Sequence, residues 1–571
     1  MADEIQLAKD IKRKLKELRD IREPRESTWD DIIDFILPGL ETLLLNDVDK
    51  PGDRVGGKRY DGTGVSALQL FADGLFGYLI SPSLAWLKFT MRDFLMEVPE
   101  VRVWLQSLEE HFYGIFNTTN FYETMSTLFE YAPAMGFADI FCEEDIAEGR
   151  IAFSIFHPGE LFIAENKFGI VDTVIRDLKM DARTAVDKFG ADNVTKAVQD
   201  SAKKDNEFKK YDFIHAVFPR SDRDAALIDS QNKPFASVWM QPTTDGNSTE
   251  ADGHIVSESG FDLNPHHVWR FKKGTTAYGY GPAEDALVEV LGANQVQKDL
   301  LMAAEQSVKP AHNVPAELHG KVDIRPGGMN YFIDPNKVVT PVSQGIDFPV
   351  GIDREERLQA AIERHFKVEF FTLLSNLSLQ QGQSRTATEV IELQGEKAAV
   401  LGRPINRLNH EVLDPIIDKI FMIELRAGRL PPPPDILADF VGENVTPKYQ
   451  GPLAQAQRKL FSLQGISQGL SQVAPLVEMF GEEALDPIDV TVTVSEILEA
   501  TGFPAKATRD SDAILERREQ RAQQQAKLEA QQSMMGLSEV AGNFAKADSD
   551  SDGAISNAFG PEEGDVVAPG G

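Results

Sequence analysis

The chain has 571 residues, with 58 Lys or Arg against 90 Asp or Glu, a formal charge of −32, and 42% hydrophobic and 26% charged residues. At about 150 residues per domain this is material for three to five domains of ordinary globular composition, which excludes a wholly disordered, collagen-like or coiled-coil chain. The negative balance excludes a surface that coats nucleic acid or an anionic membrane all over, and leaves room for a local basic site.

In chain order, Ile5, Ala8, Ile11, Leu15 and Leu18 fall at spacings of three and four among Lys12, Arg13, Lys14, Lys16 and Arg19, the pattern of an amphipathic helix. It should stop before Pro24. Ser27 and Asp30 then start a second short helix through Trp29, Ile33 and Ile36 up to Pro38. After a glycine-rich turn region, Pro51 to Gly64, a third helix carries Val65, Leu68, Ala72, Leu75 and Leu79, and two more fit Val101 to Phe116 and Phe121 to Tyr131. From Phe137 the period changes to two. Ala138 to Glu143, Ile151 to Phe156, Glu160 to Ala164 and Ile170 to Asp177 read as antiparallel strands with turns at Gly149 and Gly169. Asp181 to Gly190 reads as a capped short helix. Strands return at Phe213 to Phe218, Phe235 to Met240 and His267 to Phe271, and Thr243 to Gly253 reads as a mobile loop.

The central third is the most informative. Pro282, Glu284 and Asp285 open a helix that carries Leu287, Val290, Leu291, Leu301 and Ala304 before Lys309-Pro310 stops it. A segment broken by Pro and Gly, His312 to Val350, separates it from a second long helix with Asp353 and Glu356 at its start and Leu358, Ile362, Phe366, Phe370 and Leu373 along one side. Two rods joined by a small extended module is an unusual plan for an enzyme. Polar, glutamine-rich Asn376 to Arg385 follows, then a helical run from Thr388 to Leu425, closed by Gly428 and the prolines 431–434. Helical stretches around Leu453 to Val473 and Asp512 to Met534 come next, with an acidic tail from Lys546 onward that should be disordered.

Motifs that promise chemistry are defective. Gly52 to Arg59 nearly spells a phosphate-binding loop, but Arg59 stands where Ser or Thr would hold magnesium and Pro51 precedes it. Gly62-Thr-Gly64 has no strand before it and reads as a helix N-terminus. His410-Glu411-Val-Leu-Asp414 lacks a third zinc ligand and reads as a solvated helix face, and Asp548 to Gly553 opens like a calcium loop but has Phe559 at its twelfth position. His266 and His267 point to opposite faces of a strand. Cys142 is the single cysteine and sits in an apolar strand, so neither an internal disulfide nor a multi-cysteine metal site can form. No catalytic, cofactor or metal residue is therefore assigned. The start Met-Ala-Asp-Glu lacks a signal-peptide pattern, and Gln69, Asp73 and Pro82 break the most apolar stretch, so a soluble product without a membrane span is expected.

Arg22 to Leu37 (REPRESTWDDIIDFIL), Lys58 to Leu79 (KRYDGTGVSALQLFADGLFGYL) with Ser81 to Trp86, Phe162 to Arg176 (FIAENKFGIVDTVIR), His267 to Pro310, Thr386 to Glu396 (TATEVIELQGE) and Leu408 to Pro434 together resemble the portal, or head-to-tail connector, of short-tailed bacteriophages. The blocks run in family order from Arg22 to about Gln457. The resemblance implies an α+β, predominantly helical portal fold with wing, stem, clip and crown, assembled as a ring, usually a dodecamer, at one capsid vertex of the virion. A separate terminase drives double-stranded DNA in through it, and the DNA later leaves by the same channel. It divides the chain into wing (1–281), first stem helix (282–310), clip (311–350), second stem helix (351–375), channel loop (376–386), second part of the wing (387–450), crown (451–545) and tail (546–571). On this division Asn376, Gln380, Gln381, Gln383, Ser384 and Arg385 face DNA; Lys321, Asp323, Arg325 and Asp334 are the polar handles by which the clip meets the terminase large subunit and the tail adaptor or tube. Leu287, Leu291, Ile362 and Phe366 pack the stem, whose remaining apolar faces are expected against neighbouring subunits. Major capsid and scaffold proteins are implied as further partners, with assembly in the host cytoplasm and no cofactor. The competing readings are another phage structural protein, capsid or scaffold, and a terminase-type ATPase, which the defective loop at Gly52 to Arg59 argues against.

Overall fold

The computed structural model describes residues 2–40, 59–83, 85–145, 148–203, 206–242 apart from 225 and 228, 253–314, nine positions between 322 and 341, 348–371, 401–439 and 444–449, with a few single positions beyond. The helices and strands in chain order are α1 (Ala2–Phe35), α2 (Thr63–Leu79), β1 (Leu87–Thr90), α3 (Asp93–Met96), α4 (Pro99–Thr118), α5 (Phe121–Met135), β2 (Phe137–Asp145) and β3 (Arg150–Ile155). Then come β4 (Leu161–Glu165), β5 (Val171–Asp181), α6 (Ala182–Phe189), α7 (Lys196–Lys203), β6 (Lys210–Pro219), β7 (Phe235–Gln241), β8 (His254–Phe261), β9 (His266–Arg270), β10 (Lys272–Lys273) and β11 (Gly279–Tyr280). The last are α8 (Pro282–Val308), β12 (His312–Asn313), β13 (Thr340–Pro341), α9 (Phe348–His365), a π-helical turn (Asn409–Leu413), α10 (Asp414–Arg426) and β14 (Thr446–Tyr449). The fold is mixed helix and strand.

The strands form a three-stranded antiparallel sheet in the order β3-β2-β9 and a five-stranded one in the order β4-β5-β6-β7-β8. Their side chains alternate as the period of two requires. Ile175, Ile214, Ala216, Val238 and Met240 of the larger sheet make one core with Ala8, Ile11, Leu15 and Leu18 of α1. The main core lies among α1, α2, α4, α5, the smaller sheet and the starts of α8 and α10, around Trp29, Phe71, Phe112, Phe129 and Trp269. α5 ends at Gly136, whose φ of +84° is left-handed; a Cβ there would stand 2.4 Å from the Gly279 carbonyl oxygen, so only glycine lets the chain turn from helix into β2 this close to β11.

Two sequence expectations are corrected, and one unassigned stretch is filled. The helix does not stop at Pro24: α1 runs through it to Phe35. Pro24 and Asp20, whose carbonyl loses its donor, both lie on the exposed side, where water can take the bond. Contacts on either side hold the two halves in line. Arg22 donates to the Gly159 and Leu161 carbonyls (2.7 and 3.1 Å) and stacks 3.8 Å from the Phe162 ring centre, Arg25 pairs with Glu284 (2.7 Å), and Trp29 is fully buried. Residues 254–261, assigned to no element from sequence, form edge strand β8, and Glu411 is not on a solvated helix face but ion-paired with buried Arg270. Thr243 to Ala251, Gly52 to Lys58 and the tail from Lys546 lie outside the described residues.

Candidate functional site

The most distinctive arrangement is the pair α8 and α9. Pro282 sits in the first turn of α8, Glu284 and Asp285 face its positive end, and 27 helical residues reach about 40 Å. Only its first half is anchored in the body: Ala283, Ala286, Val290 and Ala293 are buried, and the buried residues stop there. α9 runs antiparallel to it. Glu289 approaches His365 (3.9 Å) near one end, a Cβ on Gly292 would touch Leu358 at 3.6 Å, and a Cβ on Gly351 would meet Leu300 at 2.7 Å near the other. Small residues thus let the rods approach closely. Between the far ends, His312 pairs with Pro341 and Asn313 with Thr340 in a two-residue antiparallel ladder, β12 with β13. At the body end Asn294 Oδ1 accepts the Tyr60 amide (2.6 Å), and Gln359 donates to Asp61 (3.0 Å), tying both rods to the chain before α2.

Of the predicted packing residues, Ile362 and Phe366 are fully buried within one chain, Phe366 edge-on to Phe71, while Leu287 and Leu291 are half-buried. Ile362 and Phe366 therefore pack the rods onto their own body and are not open to a neighbour. The outward apolar side chains are others: Val288 (78% exposed), Leu301, Met302, Val308 (78%), Val350 and Ile352. Leu301 was already part of the sequence pattern; periodicity missed the others because they lie off the stripe that faces the body. Asp323 is half-buried and Asp334 exposed; Lys321, Arg325 and all of Asn376, Gln380, Gln381, Gln383, Ser384 and Arg385 lie outside the described residues.

Among the described residues no group of three or more His, Cys, Asp or Glu is arranged to hold a metal ion, and no helix is long and apolar enough to cross a membrane. The buried polar groups are structural in placement. His266 Nδ1 faces Asp139 Oδ2 at 2.6 Å, both side chains sealed from solvent, whereas His267 points to the other side of β9, towards Lys419. Burial pushes the Cys142 thiol up to about 12, which leaves it an unreactive core group. It also draws the Lys419 ammonium down to about 8, where the side chain lies over the Phe261 ring (5.0 Å).

The family model for bacteriophage head to tail connecting proteins matches residues 8–508. The portal protein of Salmonella phage epsilon15 is 28% identical over 546 residues, 94% of each chain, and the probable portal protein of Bordetella phage BPP-1 is 28% identical over 525 residues, 89% of this chain and 90% of that one. A solved structure of the neck of an empty gene transfer agent particle, computed with C6 symmetry, is similar at 11% identity over 74% of this chain and 93% of that one, with a TM-score of 0.32. With the family model spanning both sheets, both rods and the helix that ends at Arg426, the chain belongs to the bacteriophage head-to-tail connecting protein family.

Proposed function

We propose that the chain is the subunit of a phage portal, a ring at one capsid vertex through which a separate terminase packages double-stranded DNA and which joins head to tail. The observation that carries this reading is the family match from residue 8 to residue 508, with the two portal relatives similar along almost their whole lengths. In this reading α8 and α9 are the stem and the segment between them, held at its base by the β12–β13 ladder, is the clip. The sheets with α1 to α7 are the wing, 376–386 is the channel loop, 387–450 returns to the wing, and the region from 451 is the crown. The exposed Val288, Leu301, Met302, Val308, Val350 and Ile352 suit a stem whose outer faces are covered by neighbouring copies in a closed head-to-tail ring. Terminase and tail proteins would meet the clip, and capsid and scaffold proteins the outside of the ring.

Negative-stain microscopy and light scattering of the purified full-length protein test the reading. The expected particle is a ring with a central hole and a mass near twelve chains. A shell or filament would favour a capsid or scaffold protein instead, and a monomer at all concentrations would overturn the assignment. The ring is also expected to be a conduit and not a motor. ATP hydrolysis above background that disappears in Lys58→Ala would overturn that expectation.

A further inference from the structure

The helical run after residue 400 contains a joint. Residues 401–408 are helical, Asn409–Leu413 is a π turn, and α10 follows. Pro415 accounts for the break: it has no N–H to give and its ring crowds the carbonyl four residues back, that of Glu411. The Asp414 amide instead donates to the Asn409 carbonyl, five residues back. Leu408, Val412, Leu413, Ile416, Ile417, Ile420 and Ile423 are all buried, so the apolar side stays continuous across the wider turn.

The two halves share the main apolar core, Leu401 and Leu408 before the joint and Ile416 to Ile423 beyond it, and differ in their polar partners. Beyond the joint, α10 is seated by Ile416, Ile417, Ile420 and Ile423, by Glu424 with His111 (3.0 Å) and Arg429 (3.0 Å), and by the Tyr449 hydroxyl donating to Asp414 (2.6 Å). Before and within the joint, the polar anchors are on β9, whose outer edge has no strand partner among the described residues. The Arg270 amide donates to Glu411 Oε2 (2.9 Å) and its Nε to Glu411 Oε1 (3.1 Å); the Trp269 indole N–H donates to the Pro404 carbonyl (3.2 Å); Arg407 braces Glu411 (2.6 Å). Arg270 Nη1 pairs with Glu165, and Nη2 donates both to Glu411 Oε1 and to the Gly169 carbonyl (2.9 Å) at the tip of the β4–β5 hairpin. Arg270 is 2% exposed, so its end of these bonds is shielded from water, which strengthens charge-assisted bonds.

We propose that Asn409–Leu413 is a hinge and that the Arg270–Glu411 pair is its latch. Releasing the latch lets the 401–408 segment swing while α10 stays seated. The hinge stands on the geometry alone.

Pulsed electron paramagnetic resonance on the full-length protein tests it. Spin labels at cysteines replacing exposed Arg403 and Met422 straddle the joint; buried Cys142 stays unlabelled, and labelled chains are diluted with unlabelled ones before any ring forms. The latched protein should give one narrow distance distribution. Glu411→Gln, or the milder Glu411→Asp, should add a second population and raise amide exchange over 401–408 about tenfold or more, with 414–426 unchanged. Adding Pro415→Ala restores the missing N–H and should narrow the distribution again. A narrow distribution in both Glu411 variants, loosening of both halves alike, or failure of Pro415→Ala to narrow it would overturn the proposal, whether or not rings are seen by microscopy.

Discussion

His215 lies flat on Trp239, ring centroids 4.1 Å apart, with Nε2 at 3.0 Å from the Ser237 hydroxyl and no water in reach. Burial, then the neighbouring His266, Arg176 and Lys188, hold its pKa well below the ordinary value; burial, Lys419 and His266 do the same for His267. The folded protein keeps both rings neutral, whereas the unfolded chain takes up protons below about pH 6.5. Their contribution is therefore complete above that pH and is lost as pH falls towards the depressed folded values, at up to about 1.4 kcal/mol per pH unit for each ring. Urea midpoints should fall between pH 6.5 and 5, and His215→Gln should make the fall shallower by one proton's share. An unchanged slope would show that His215 is already charged in the folded state. At this scale the sequence was legible where a single strand decides the outcome. The opposite facing of His266 and His267 and the burial of Cys142 follow from alternation alone. The Glu411 clamp on Arg270 was not legible, because the partners are 141 residues apart and only the strand edge brings them together.

The elements were readable where periodicity ran unbroken, as in α4 with Val101, Leu105, Leu108, Phe112 and Phe116 on one face, and in α6, where the Asp181 carboxylate accepts the Thr184 amide and Gly190 ends the helix. They were not where a distant contact outweighs a local rule. Arg22, Arg25 and Trp29 carry α1 across Pro24; β1 pairs with β14 across some 350 residues, Thr90 opposite Thr446. The rods combine both cases, since their inner stripe and the outward Leu301 were visible, while Val288, Met302, Val308, Val350 and Ile352 were not. Two kinds of substitution should separate these roles. Ile362→Ala opens a hole in the chain's own core and should cost about 2–5 kcal/mol, read as a lower unfolding temperature whatever the state of assembly. Val288→Glu, at a position open to solvent, should change the stability of the single chain by less than about 0.5 kcal/mol. In the proposed ring it would bury an unpaired charge, so light scattering should show smaller species. Intact rings with Val288→Glu would mean that this face of α8 stays exposed in the assembly.

At the scale of the whole molecule, the charge of −32 bears on how DNA could move past the chain. Each phosphate neutralised by Lys or Arg adds affinity and so friction, whereas an acidic surface lets the duplex slide. Only groups within about 8 Å act on it at physiological salt, so a few residues near the axis decide the behaviour. The segment Asn376 to Arg385 is the proposed contact: it follows the second rod, its Gln380, Gln381, Gln383 and Ser384 can exchange weak hydrogen bonds with phosphates without fixed charge, and Gly382 would permit a bend. Arg385 is its one strong phosphate group, and Glu389 four residues on is placed to restrain it if the run continues as a helix. Deleting Gln380 to Gln383 removes the neutral contacts and leaves every described stem residue in place. Rings should therefore assemble normally, while the DNA retained per head falls or leaks on purification, as measured by nuclease protection and head density. Wild-type filling and retention in the deletion would place the DNA path elsewhere. Arg385→Gln separates grip from mere passage: if the guanidinium holds the last-packaged DNA, its loss should lower retention most at low salt, where a charge contact to phosphate is strongest, and make retention less dependent on salt.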